Sequence, residues 1–236
     1  GHRNEDTHRM KSVHFTIPLL TIINCIEWIF FYLLKAIKMR FISSAIRAAI
    51  YQRRTSMSRI TIPQADQTPS ASLPLLEAVN RQLGVVPNLM KVVGHSPAAL
   101  EGYLSLNGAL GKGTVGAKTS ERIALAVAEL NGCGYCLSAH SYLGSNLAKL
   151  DAAELDANRH GNSNDPKAAA ALRFATQIVG SRGHVSDADL ASVKAAGYSE
   201  AEIIEIVLLV ALNTLTNYVN NVAQTDIDFP EVKPFK

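Results

Sequence analysis

The chain has little of what small proteins use to staple or layer themselves. Its 236 residues include three cysteines, one tryptophan and 6% aromatic residues. Three cysteines cannot frame a disulfide-rich secreted fold, so each is read either as a small hydrophobe or as a reactive group. Period-two alternation persists nowhere beyond residue 57, which argues against a sandwich or barrel. A net positive charge is also missing from most of the chain. The net charge is +3, but residues 1–56 hold nine Lys and Arg against three acids, and the remainder is mildly acidic at −3. The pI near 8.8 is therefore a property of the first 56 residues. The body carries no basic footprint for nucleic acid.

What is present is apolar and helix-forming. Hydrophobic residues make up 47% of the chain, with many Ala and Leu, a composition that favours helices. The expected class is all-α, a compact bundle of about six to eight helices. Pro74 fits the first turn of a helix reaching Leu83, and Gly84 stops it. A short helix follows around Leu89–Val93, and Ser96-Pro97 opens the next. Thr119 or Ser120 is the expected cap of a strongly apolar helix with Glu121 in its first turn, broken at Asn131-Gly132. Further helices are read at about Cys133–Leu147, Asp151–Arg159, Pro166–Ser181 and Ser186–Ala196. A last one, from about Ser199 to Ala223, opens on the capping box Ser199-x-x-Glu202. This last helix is too apolar for one wet face, so it is central in the core or also packs in a subunit interface.

The chain divides into an extension, residues 1–56, and a helical domain, residues 57–236. The extension holds an apolar run from Phe15 to Leu34, about the length that crosses a bilayer. It is interrupted by Pro18, Asn24 and Glu27, and a charge near the middle costs about 2.5–3.5 kcal/mol on insertion. A membrane anchor, a targeting segment continued through the basic stretch to Arg54, and an upstream segment outside the functional protein are the three readings. The last is favoured, with membrane association unlikely, because composition shifts abruptly at Met57.

The chemistry concentrates in Asn131-Gly-Cys133-Gly-Tyr-Cys136-Leu-Ser-Ala-His140. At 3.6 residues per turn, Cys133, Cys136 and His140 share one helix face. Free N–H groups and the helix dipole at a first turn stabilise a thiolate, and a histidine a turn further on can take or return a proton. Such a pair is redox-active or metal-binding, in a reducing compartment, here the cytoplasm. Zinc would need Cys133, Cys136, His140 and Glu121 together. Glu129, two residues before the break, reads as a solvated helix end. His95, His160 and His184 read as surface residues. The run Asn217 to Asn221 could line the site or an interface, but amides at a buried helix end are more often structural, and that reading is preferred.

Glu121, then eleven residues, then Cys133-x-x-Cys136-x-x-x-His140 resembles the signature of alkylhydroperoxidase D-like proteins of the carboxymuconolactone decarboxylase superfamily. The wording Asn-Gly-Cys-Gly-Tyr-Cys-Leu-Ser-Ala-His is similar to the peroxidase-related branch, and the resemblance runs from about Met57 to the C-terminus. It implies catalytic Cys133, Cys136, His140 and Glu121, with no metal and no cofactor. A Glu121–His140 relay would control the thiols of an enzyme that reduces hydroperoxides at the expense of a dithiol or a redox protein. A trimer or hexamer is implied as well. Helix-end logic favours Cys133 as the attacking thiol, whereas the resemblance favours Cys136 with Cys133 resolving, and Cys136 is preferred. Where some members carry a histidine before the second cysteine, this chain has Tyr135, read as packing. Two alternatives are a lactone-acid decarboxylase, which does not need the cysteine pair, and a non-enzymatic redox sensor.

Overall fold

The computed structural model describes residues 58–235. The extension, and with it the anchor, targeting and upstream-segment readings, lies outside the described residues. Among those described there are nine α-helices and no strand: α1 Leu73–Leu83, α2 Asn88–Val93, α3 Pro97–Leu110, α4 Ala117–Leu130, α5 Gly134–Asn146, α6 Ala152–Arg159, α7 Pro166–Ser181, α8 Asp187–Ala195 and α9 Glu200–Ala223. The all-α expectation holds. The count is one above the six to eight expected for the bundle, and it matches the nine segments read individually along the chain.

The central helix is α4 rather than the more apolar α9. Every residue of α4 from Arg122 to Ala128 is buried, because α5, α6, α7 and α9 all pack around it. Small side chains make this possible. Ala124, Ala126 and Ala128 on α4 face a bundle in which α7 buries Ala168 to Ala171 consecutively, and interaxial distance falls with side-chain size. The helix divides the core. Leu125 and Ala128 look toward Leu100, Leu137 and the cysteines. Ile123 and Val127 look toward Phe174, Val193, Ile206 and Val210. Each fully buried Leu or Ile contributes roughly 1.5–3 kcal/mol of transfer free energy.

The capping box of α9 forms as its sequence predicts. The Ser199 hydroxyl accepts from the Glu202 N–H, and the Glu202 carboxylate accepts from the Ser199 N–H. By length and composition α9 could cross a membrane, yet one face lies in the core through Ile203, Ile206, Val210 and Asn217. The opposite face stays apolar and exposed through Ile204, Leu208, Leu215, Tyr218 and Val222. After α9 the chain returns as an extended tail over α5.

Candidate active site

The site begins with how α4 ends. Gly132 adopts φ +61°, a conformation open to glycine at little cost. Its N–H bonds to the Glu129 carbonyl, and the Cys133 N–H bonds back to the Ala128 carbonyl. These two bonds make a Schellman motif, which satisfies the carbonyls that a helix end leaves free. The residue that completes it, Cys133, is also the N-cap of α5. Its Sγ accepts the backbone N–H of Cys136 at 3.2 Å. Cys133 thus precedes α5 instead of sharing its face. Of the three residues expected on one helical face, Cys136 and His140 lie there, at i and i+4.

Cys133 and Cys136 form a disulfide. Both are buried, with 0% and 2% of their surface exposed. The tail packs on the first turns of α5, where Pro234, Ile227 and Val232 lie beside Gly134. Val232 and Phe229 pack against the cluster that holds both cysteines. The Val232 N–H bonds to Ser138 Oγ, and Asp228 accepts a hydrogen bond from the Tyr135 hydroxyl at 2.8 Å. Tyr135 also takes the Leu89 N–H on its oxygen. Burial, and after it the charge of Asp228, pushes its hydroxyl well above the usual phenol range, the Leu89 N–H opposing. Tyr135 is therefore a fixed donor, the packing residue that its sequence position predicts, with a polar anchor in addition.

His140 Nδ1 lies 2.9 Å from Glu121 Oε2, both side chains about one-fifth exposed. A carboxylate only accepts, so in the neutral ring Nδ1 carries the hydrogen and Nε2 is left for proton transfer. The structure brings Glu121 and His140 together, although Glu121 is not in the first turn of its helix. That helix begins earlier than expected, at Ala117 after Gly116, so Glu121 sits in the second turn and faces α5 rather than a helix end. Tyr103 of α3 is raised to about 12 by burial and then by the charge of Glu121.

Glu129 departs from its expectation. It is no solvated helix end: its carboxylate takes Arg159 Nε at 2.8 Å and the Phe235 N–H at 2.7 Å. His95, His160 and His184 are exposed as expected, and His160 stacks on Phe235. Among the described residues no group of three or more His, Cys, Asp or Glu is placed to hold a metal ion. A cavity of about 520 Å³ lies between the first turn of α5, the end of α9 and the tail, lined by Tyr135, Asn220, Gln224, Asp226 and Glu231 among others. Sequence reasoning missed Asn220, taken as a structural amide. Its Nδ2 lies 3.3 Å from Cys136 Sγ. No local signal could have found this contact, because 84 residues separate the two.

The sequence model of the carboxymuconolactone decarboxylase family matches residues 97–177. Over this segment the chain is similar to that family. The match runs from α3 into α7, so it takes in Glu121, Cys133, Cys136 and His140. The helical fold recurs in solved structures. One is an uncharacterized peroxidase-related protein from Silicibacter sp. TM1040, 22% identical with a TM-score of 0.64, covering 72% of this chain and 91% of that one. Another is an alkylhydroperoxidase AhpD core from Ralstonia eutropha JMP134, an uncharacterized peroxidase-related protein, at 22% identity and TM-score 0.64, covering 73% and 93%. A third is a cysteine-to-alanine variant of the debrominase Bmp8 in complex with 2,3,4-tribromopyrrole, at 22% identity and TM-score 0.62, covering 73% and 94%. At this identity the likeness carries the fold alone. Among curated proteins nothing matches the chain.

Proposed function

We propose that the protein is a thiol-dependent hydroperoxide reductase. The observation that carries this reading is a Cys133–Cys136 disulfide at the start of α5, with His140 one turn along the same helix and paired to Glu121 of α4. The peroxidase-related solved structures support it. The cysteine pair argues against lactone decarboxylation, which does not need it.

In the reduced protein His140 Nε2 takes the Cys136 proton while Glu121 orients the ring and stabilises the imidazolium. The Cys136 thiolate attacks one peroxide oxygen. An S–O bond forms, the O–O bond breaks, and the departing alkoxide takes the proton from His140 and leaves as the alcohol. The Cys133 thiol then attacks the sulfenic sulfur, forming the disulfide and releasing water. An external dithiol or redox protein supplies two electrons and two protons to reopen it. No step calls for a cofactor. In this reading the protein works in the reducing cytoplasm, as a homo-oligomer of trimer or hexamer type. The exposed apolar stripe of α9 supports self-association. Light scattering should show an assembly that Leu208→Glu breaks.

The test is hydroperoxide consumption by the full chain with excess dithiol, beside Cys133→Ser and Cys136→Ser. Turnover that both substitutions abolish supports the reading. A disulfide that forms under peroxide without turnover favours the redox sensor, a reading for which the burial of both sulfurs is the supporting observation. Inert thiols sink both.

A further inference from the structure

Asn220 lies one turn before the end of α9, where an amide side chain is ordinarily solvated. Here it is 3% exposed, and its Oδ1 is buried with no hydrogen-bond partner. A half-satisfied buried amide is a cost that an apolar side chain of similar size would avoid. What Asn220 gains in return is one contact, Nδ2 to Cys136 Sγ at 3.3 Å. To a neutral disulfide sulfur that bond is weak, since such sulfur is a poor acceptor. To a thiolate it is charge-assisted and much stronger. The contact is therefore worth most in a state other than the disulfide.

We propose that Asn220 is a positioning residue for the dithiol, and that its amide makes Cys136 the sulfur that carries negative charge in the reduced protein. The proposal deepens the dithiol reading and rests on the pair being reducible, not on peroxide being its substrate.

The two sulfurs have different donors. Cys133 Sγ has the Cys136 backbone N–H and the start of the α5 dipole, so without a counterweight the charge would settle on Cys133. Asn220 supplies that counterweight from another helix. Its own position is fixed by neighbouring amides. Asn131 Nδ2 donates to Asn217 Oδ1, and Asn221 Nδ2 donates to the Asn131 carbonyl, each at 2.9 Å. These bonds lock the end of α9 onto the turn that precedes the cysteines. The titratable groups facing the pair are His140 on α5, Glu121 beyond it on α4, Tyr103 on α3, and Tyr135. The tail adds Asp228 on the Tyr135 hydroxyl and the carboxylates Asp226 and Glu231 along the cavity. The acids all disfavour a thiolate, and His140 favours one only while protonated. The Asn220 amide is the donor that acts on Cys136 at every pH.

The experiment follows the alkylation rate of Cys136 against pH in the reduced full-length Cys133→Ser protein, read by mass spectrometry on the peptide that carries it. Asn220→Ala and Asn220→Leu are compared with Asn220, the second because it fills the same space with no donor. Both variants should raise the midpoint by about one pH unit or more and slow alkylation at neutral pH about tenfold, as loss of a hydrogen bond to a charged group predicts. Asn220→Asp, with a carboxylate facing the sulfur, should raise it further. Cys133, titrated in a Cys136→Ser background, should keep its midpoint. Unchanged Cys136 midpoints in folded variants overturn the proposal, and so does an equal shift at Cys133, which would mark general loosening. No peroxide enters the measurement, so a protein inert to peroxide leaves this result standing.

Discussion

Glu121 and Arg122 are neighbours on α4, and each reaches an opposite charge on another helix, but the two pairs do different things. Arg122 Nε meets Glu154 Oε1 at 2.8 Å with side chains 8% and 6% exposed. Glu154 is then satisfied again by Ser163, by the Asn164 N–H and by Asn158. Burial alone would push the Glu154 carboxyl up. The three hydrogen bonds and the Arg122 charge outweigh it and hold the group at about 2. This is a fixed charge that joins α4 to α6 and to the loop before α7. Glu121 has one hydrogen-bond partner, His140, and both remain open to solvent. The lesson is that ionic contact by itself does not mark chemistry. The pair with unused hydrogen-bonding capacity can exchange a proton, and the saturated pair can only hold helices together.

The contrast breaks most visibly by removing Arg122. Arg122→Met leaves Glu154 buried without its cation and should cost about 3–5 kcal/mol of stability, read as a lower urea midpoint with the m-value kept. A loss within the range of a surface substitution would show that the clasp is not structural. Next in size is acid. Glu154 has a folded value of about 2 against an ordinary 4.5. Its contribution is therefore complete above pH 4.5 and is lost as pH falls toward 2, about 3 kcal/mol in all. Urea midpoints taken down this window should fall, and Glu154→Gln should flatten the slope. The active pair should behave the other way round. His140→Ala should lower peroxide turnover about 100-fold while stability moves by no more than about 1 kcal/mol. Glu121→Gln, which keeps the shape and removes the charge, should lose less. A His140→Ala protein that unfolds as readily as Arg122→Met would erase the distinction.

How legible each part was in the sequence follows from the distance between partners. The Asn131-Gly132 break, the Ser199 capping box and the proline-led helices α3 and α7 are local devices, and their residues announce them. The helical spacing placed Cys136 and His140 on one face, but it misplaced Cys133 by one residue, because a Schellman end and an N-cap share that position. Glu121 entered as a candidate through the family signature. Its own neighbours read only as a helix start, and the true start lies one turn earlier. Arg122 was hidden by the apolar run around it, which gives no sign that a charge will be buried against two carboxylates. The apolar content of α9 left it either central in the core or also at a subunit interface. One apolar face packs inside and the other faces out, while the smaller Ala-rich α4 takes the middle because its neighbours can approach it more closely. The tail was not legible at all. Asn88 and Asp228 bond across 140 residues, and no periodicity records such a partner.

That tail supports the smallest prediction and the one that links the two kinds of region. It is pinned as firmly as the Arg122 clasp, but over the reactive pair. Asp228 takes the Tyr135 hydroxyl on one oxygen and the Asn88 N–H on the other, both at 2.8 Å. Farther along, Arg159 holds the Lys233 carbonyl and lies 3.9 Å over the Phe235 ring. With both sulfurs buried and the tail packed on the start of α5, a reductant is expected to reach them when this segment lifts. Asp228→Asn leaves the backbone contacts in place, but an amide has one accepting oxygen, so one of the two charge-assisted bonds is lost and the other becomes neutral. A hydrogen bond to a charged group typically contributes about 1 kcal/mol more than a neutral one. The lifted fraction should rise about tenfold or more, and reduction of the Cys133–Cys136 disulfide by a small dithiol should accelerate by the same factor, followed by quenched alkylation. Glu231→Gln changes a tail carboxylate that holds neither Tyr135 nor Asn88, so it should leave the rate unchanged. If Asp228→Asn is reduced no faster than the unsubstituted protein, the thiols are reached by another path, and the tail belongs with the Arg122 clasp as structure rather than with His140 as part of the working site.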